Sequence, residues 1–387
     1  MRVAFICGSL APGRDGVGDY CRRLGSEMRK LGHDILLISL NDRWCQGEGK
    51  DAEESMPLLR CASATPLKQR VEVVGQALQR FRPDWVSLQF VCFGYHPKGL
   101  PWRWNAVFAD LGRLASHRHL MLHELWIGPP PLRRWLLGLG QKWLIRDLGR
   151  RFRPDLVTTS MNSYQYRLSR IGITARVLPL FGNIPLAPRN DDYIAALLRA
   201  AGSRRVQAPR TAFLNGVFFG TVHPDFDALA LIAWLSELRN RAGKPILLSL
   251  VGRTGAASKR LAEQVVSSAP DAIEAIPLGE QSEEIISQAL QYADFGINTC
   301  SPELLGKSGT HAAMREHGLP VVLADGALDA VFLQTDAPPV RQFSTNGSVM
   351  AMMNHVRPQL PGAGVTHTAA EVIRLFETRN LGNHVAA

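Results

Sequence analysis

The 387-residue sequence contains no run of eighteen or more apolar residues, which argues against a transmembrane helix. Its six cysteines, Cys7, Cys21, Cys45, Cys61, Cys92 and Cys300, are scattered, with no C-x-x-C pair and no paired Cys/His spacing. A structural zinc and a disulfide framework are both disfavoured, so reduced, mostly buried thiols and no metal site are the expectation. Neither a finger spacing nor an RNP-type aromatic motif occurs, and nucleic acid is therefore not an expected partner. Internal repeats and low-complexity segments are absent too.

What is present is the composition of a well-cored globular protein, 46% hydrophobic and 20% charged, at a length that calls for two domains. The formal charge of +10, from 44 Lys and Arg against 34 Asp and Glu, favours anionic partners: nucleotides, phosphorylated substrates or acidic lipid surfaces. The apolar run at the start, RVAFIC, is only six residues and leads into Gly-rich polar sequence, which reads as a buried strand rather than a signal peptide. A cytoplasmic protein is the expectation.

Arg2–Cys7, a Gly/Pro loop, a helical pattern over 17–31 and the apolar run Asp34–Leu40 make one strand–loop–helix–strand unit, which implies a parallel sheet. Further strands are expected at 85–89, 119–123, 156–160 and 178–180, with helices over 67–80 and 132–148. The charged, helix-forming stretch 186–210 reads as an interdomain connection. A second alternation follows, with strands at 212–220, 246–251, 275–278, 295–298 and 320–324 and helices between them. Two doubly wound α/β domains are expected, at 1–185 and 211–362. The tail 363–387 is expected as a helix packing on either domain.

Gly306-Lys307-Ser308 resembles the tail of a Walker A loop, but that motif needs glycine where Ser301 stands and normally follows a domain's first strand. The P-loop reading fails. The stretch instead predicts a strand, a loop and a helix capped by Ser308 or Thr310, whose first N–H groups and Lys307 suit a diphosphate. A plain capped helix with a solvated lysine fits the same residues. Gly220 and Gly252-Arg253 leave apolar strands on the same expected edge, and an arginine there can bind two diphosphate oxygens at once or simply form a surface salt bridge.

In the first half, the loop GSLAPGRDGVGDY lacks the order of a dinucleotide fingerprint: counting from Gly16 and Gly18, the third glycine position is Cys21. It offers either glycine backbone before a helix N-terminus or merely a tight connection. His123-Glu124 and His96/Lys98 follow strands, at the edge where open α/β sheets bind ligands; a half-buried imidazole bonded to backbone is the alternative. The segment 129–154 joins Trp and Leu to seven basic residues, the pattern of a helix lying on an anionic membrane or of a core-facing helix with a solvated basic face.

With these motifs in this order, the chain resembles the retaining, metal-independent nucleotide-sugar glycosyltransferases of the GT-B fold, family 4. The resemblance spans nearly its whole length and rests on PGRDGVGDYCRRLGSEMRKLGHDILLISL, HELW and DFGINTCSPELLGKSGTHAAMREHGLPVV. It implies two Rossmann-like domains facing a cleft, with a nucleoside diphosphate sugar as donor substrate and no cofactor. Gly16 and Gly18 would close over the substrates and His123 would contact the transferred sugar. Arg253 and Lys307 would hold the diphosphate, with Gly220, Gly252 and the N–H groups of Ser308, Gly309 and Thr310 beside it. Glu303 would be the first acid of a Glu-x7-Glu pattern. Asp19, Tyr20, His96, Lys98 and Glu124 fall on the acceptor side. The acceptor would be a glycan, a lipid-linked intermediate or a small molecule, the first two in polysaccharide biosynthesis at the inner membrane face. Two departures stand out. His311 replaces the second glutamate, and TVHPDFD after Gly220 carries no Arg/Lys pair, only His223. A non-catalytic GT-B nucleotide-binding or scaffold protein is the alternative these departures keep open.

Overall fold

The computed structural model describes residues 1–46, 48–49, 56–128, 132–222, 228–252, 255–300, 302–323, 349, 353 and 364–384. The first half runs β1 (Arg2–Cys7), α1 (Gly16–Lys30), β2 (Asp34–Asp42), β3 (Glu48–Gly49), β4 (Leu58–Ala62), α2 (Leu67–Phe81), β5 (Trp85–Phe90), α3 (Cys92–Tyr95) and α4 (Trp104–Gly112). It continues through β6 (His117–Leu122), α5 (Leu132–Phe152), β7 (Leu156–Thr159), α6 (Asn162–Ser169) and β8 (Arg176–Val177). The second half runs α7 (Asp191–Ala200), β9 (Leu214–Phe219), α8 (Ala228–Ala242), β10 (Ile246–Val251), α9 (Ala256–Ser268), β11 (Ile273–Gly279) and α10 (Glu283–Tyr292). It ends with β12 (Phe295–Asn298), α11 (Gly309–Glu316), β13 (Val321–Leu323) and the long helix α12 (Gly364–His384). These elements form two compact units, Met1–Phe181 with Gly364–Ala387, and Gly182–Ala363.

In the first unit the strand order is β3-β4-β2-β1-β5-β6-β7-β8, parallel apart from the two-residue β3. The sheet is covered on both faces, which is why its strands are unbroken apolar runs rather than alternating ones. One face packs against α2, α4, α5 and α6 through Val74, Leu78, Phe108, Leu144, Leu148 and Leu168. The other packs against α1 and α12, where Tyr20, Leu24 and Met28 recur at helical spacing beside Leu375 and Phe376. Phe376 stacks on Trp85 with ring centroids 4.1 Å apart, and burying each such side chain contributes about 2–3 kcal/mol. In the second unit the described strands are ordered β11-β10-β9-β12-β13, all parallel.

Three sequence expectations change. The strand expected at 178–180 lies at Arg176–Val177, because Pro179 has no N–H to continue the ladder. The stretch 186–210 is not a separate connection: it folds into the second unit, where Ile194 and Leu198 of α7 join a core with Ile286 and Leu290 of α10. Gly16 and Gly18 do not lie in a loop but in the first turn of α1.

Candidate functional site

Each sheet has a point where successive strands are laid down in opposite directions, and open α/β sheets bind ligands at the carboxyl ends of the strands flanking it. In the second unit that point lies between β9 and β12. Gly220 follows β9 at φ 105° and Gly252 follows β10 at φ 120°, backbone that L side chains rarely adopt. A Cβ on Gly252 would lie 3.2 Å from the Gly220 N, and one on Gly220 3.0 Å from Thr310 Cγ2. Three separate sequence signals, Gly220, Gly252 and Thr310, are therefore neighbours.

The turn after β12 is built by short polar side chains. Asn298 Oδ1 accepts from the Cys300 N–H at 2.8 Å, while its Nδ2 lies 3.4 Å from Ser308 Oγ. Ser308 caps α11 by accepting from the His311 N–H at 3.2 Å, and its hydroxyl meets that of Thr310 at 3.1 Å. The N–H groups of Gly309 and Thr310, at the positive end of α11 beside the half-buried Lys307, have no acceptor among the described residues. Asn183, whose Oδ1 is buried without a partner among the described residues, flanks Gly309 at 3.6 Å from the position a Cβ there would take. Sequence reading missed Asn183 and Asn298; their only signal was asparagine beside Gly182 and at a strand end. Arg253 and His223 lie outside the described residues, and Glu303 falls in the 3-10 turn Pro302–Lys307. A cavity of about 600 Å³ lined by Arg189, Arg210, Lys244 and Asp294 belongs to the opposite edge, where β9 and β12 begin, and so is not this site.

In the first unit the corresponding point lies between β1 and β5. Asp15 caps α1, its carboxylate accepting from the N–H groups of Val17 at 3.0 Å and Gly18 at 2.9 Å. These N–H groups therefore already serve the protein's own carboxylate. Gly18 is needed for close packing, since a Cβ would collide with Ser9 O, whereas one on Gly16 would meet nothing. Asp19 accepts from the Gly13 N–H at 2.9 Å and so ties the loop down. The loop is also anchored by Asp42, which no sequence motif singled out. Asp42 accepts from Ser9 Oγ, Leu10 N, Ser39 Oγ, Trp44 N and Arg60 Nε at 2.8–3.2 Å. Burial alone would raise its pKa, but Arg60 and these donors hold the carboxyl below the usual range.

His123 lies one residue beyond β6, buried, with Tyr20 edge-on at 4.8 Å and Phe181 stacked on Tyr20 at 4.6 Å. Its Nε2 is 2.8 Å from Gln89 Oε1, while Gln89 Nε2 donates to Ser87 Oγ at 2.7 Å. Ser87 meets His119 Nδ1, and His119 Nε2 meets Thr158 Oγ1, both at 2.8 Å. Thr158 in turn donates to Met121 Sδ. One donor direction satisfies every link of this chain, and it places the His123 proton on Nε2. Burial pushes the His123 pKa down to about 3, and burial reinforced by His123 does the same to His119. His123 is therefore a neutral imidazole whose Nδ1 can accept a hydrogen bond. His96 is a turn-former, its Nδ1 accepting from the N–H groups of Lys98 at 3.2 Å and Leu100 at 3.4 Å. Lys98 is exposed and Glu124 half-buried.

Two α/β units, each with polar and glycine residues gathered at its strand-reversal point, define the GT-B class of fold. Solved structures of that class match along nearly the whole chain. The Anabaena protein Alr3699/HepE, determined in complex with UDP and glucose, is 16% identical, covers 100% of this chain and 99% of its own, and has a TM-score of 0.55. UDP-GlcNAc 2-epimerase from Methanocaldococcus jannaschii is 11% identical over 98% of this chain and 100% of its own, with a TM-score of 0.54. A glycosyltransferase from Rickettsia africae is 12% identical over 98% and 97%, with a TM-score of 0.53. No protein-family model and no curated protein matches the sequence.

Proposed function

We propose that the protein transfers a glycosyl unit from a nucleoside diphosphate sugar, with retention of configuration and without a metal. The single observation that carries this reading is the junction of Gly220, Gly252 and the open first turn of α11 at the β9/β12 reversal point. Side-chain-free backbone there leaves room for a diphosphate against unpaired N–H groups, and Lys307 adds the charge that its departure as a leaving group needs. Arg253 and Glu303 belong to the same donor-side proposal. The complexes and substrates named for the Anabaena and Methanocaldococcus proteins make uridine the first base to test.

In the first unit, His123 would accept a hydrogen bond from a sugar hydroxyl through Nδ1, held by Gln89 and Tyr20. Being neutral, it orients the sugar rather than shuttling a proton. Asp19, His96, Lys98 and Glu124 surround the acceptor side of this proposal, with a glycan or lipid-linked hydroxyl as acceptor.

Thermal unfolding with UDP, GDP, ADP, dTDP, ATP and NAD, each with and without magnesium, tests the reading. A diphosphate present at about 100 times its Kd should add about 2.7 kcal/mol of stability without metal. Response only to ATP with magnesium, or only to NAD, would contradict it. Silence across the panel would favour a scaffold protein, the reading that His311 in place of a second glutamate keeps in view.

A further inference from the structure

The described residues expose thirteen large apolar side chains, and five of them, Trp102, Trp135, Leu136, Leu139 and Trp143, belong to one patch. Four lie on α5 at 135, 136, 139 and 143, within about 100° of its circumference and opposite the buried stripe of Leu144, Ile145 and Leu148. Trp102 reaches them from the segment before α4, its ring centroid 5.3 Å from that of Trp143. Each is between 44% and 56% exposed, so none is core. Soluble surfaces scatter such residues singly; a contiguous group marks a binding face.

The chemistry of the remaining face identifies the partner. Along the same solvent side of α5 the apolar turns give way to Arg146 and Arg150, both exposed and without an ion pair among the described residues. Arg103, next to Trp102, is exposed as well. The acids of α5 and α4 are already engaged: Asp147 by Arg151 and Asn105, and Asp110 by Arg113. Trp and Leu flanked by unpaired cations suit the headgroup region of an anionic bilayer, which a complementary protein surface would have to reproduce residue by residue. The chain's charge of +10 acts in the same direction. Among the described residues no helix is long and apolar enough to cross a membrane.

The chain leaves β6 at Leu122, passes His123 and enters α5 at Leu132; α5 then runs back to the start of β7. Its N-terminal half, with Trp135, Leu136 and Leu139, therefore lies at the His123 edge of the sheet, and Gln141 Oε1 anchors it by accepting from the Ile127 N–H at 2.9 Å. We propose that Trp102 and the solvent face of α5 dock on an anionic lipid surface and bring the β5/β6 edge to an acceptor held in that surface. The acceptor half rests on the transferase reading, and the docking half does not.

Co-sedimentation with vesicles of phosphatidylcholine, alone and mixed with phosphatidylglycerol, tests it. The full chain should bind the anionic vesicles at low salt, with its Trp fluorescence shifted to the blue. Leu139→Ser with Trp143→Ser should weaken binding by roughly tenfold or more. Arg146→Ala with Arg150→Ala should weaken it about tenfold and flatten its salt dependence. All four positions are exposed, so unfolding temperatures should be unchanged; Trp102→Ser gives a third variant should either pair fail to fold. Absence of binding at low salt, or binding indifferent to every variant, overturns the proposal. So does a concentration-dependent dimer that the same variants dissolve, since a second copy would then be the occupant. Vesicle binding without sugar transfer to any acceptor keeps the docking and removes the transferase reading.

Discussion

Lys307→Ala is expected to lower kcat/KM for sugar transfer by about two to three orders of magnitude. Lys307 ends the 3-10 turn Pro302–Lys307 and directly precedes Ser308, the cap of α11. In the proposed reaction the diphosphate gains charge as the sugar–oxygen bond breaks, and an ammonium beside unpaired N–H groups is strongest at that moment. Removing it leaves the α11 N-terminus and Arg253 to stabilise that charge, so the loss should appear in kcat more than in KM. The substitution trims a half-buried surface side chain, and folding stability should change by less than about 1 kcal/mol. Ser308→Ala should instead cost about 1 kcal/mol of stability through the lost cap, with a smaller effect on rate. Steady-state kinetics beside urea unfolding separates the two. Unaltered transfer by Lys307→Ala would show that the diphosphate is held elsewhere.

The second large effect is a loss of stability in mild acid. His119 and His123 are pushed down to about 3 by burial, whereas unfolded histidine titrates near 6.5. Between those values the unfolded chain binds more protons than the folded one, so stability is full above pH 6.5 and falls as the pH drops. Two such groups lose about 4 kcal/mol between pH 7 and pH 5. His33, lowered by burial and by the N-terminal amine, acts in the same sense. Asp15, raised chiefly by burial, opposes it, because its contribution is lost as the pH rises. Asp42 and Glu27, both lowered, act only below the usual carboxylate range. Urea midpoints at pH 7 and pH 5 measure the effect, and His119→Gln should remove about half of it. Equal stability at the two pH values would mean that the histidines are not buried as a neutral chain.

The sequence was most readable where burial on both sheet faces forces continuous apolar runs, as in RVAFIC, WVSLQF and ILLSLV. β4 was hidden because Arg60 interrupts LLRCA, and its purpose, the ion pair with Asp42, spans eighteen residues. The same limit applies to the sites. Glycines after strands and a capped helix mouth could be read as separate local signals, and three of them meet at Gly220, Gly252 and Thr310. Partners drawn from distant strands could not. Gln89 holds His123 across thirty-four residues, and Asp42 reaches Ser9 across thirty-three. Gly16 and Gly18 misled because a glycine-rich stretch looks like a loop, while the Asp15 cap starts α1 at Gly16.

Amide hydrogen exchange with and without UDP tests the central claim most directly. Slower exchange is expected in peptides covering 216–222, 249–252 and 305–312, the ends of β9 and β10 and the mouth of α11. Protection confined to the first unit, or to the cavity residues near Arg210 and Lys244 at the opposite edge, would contradict it.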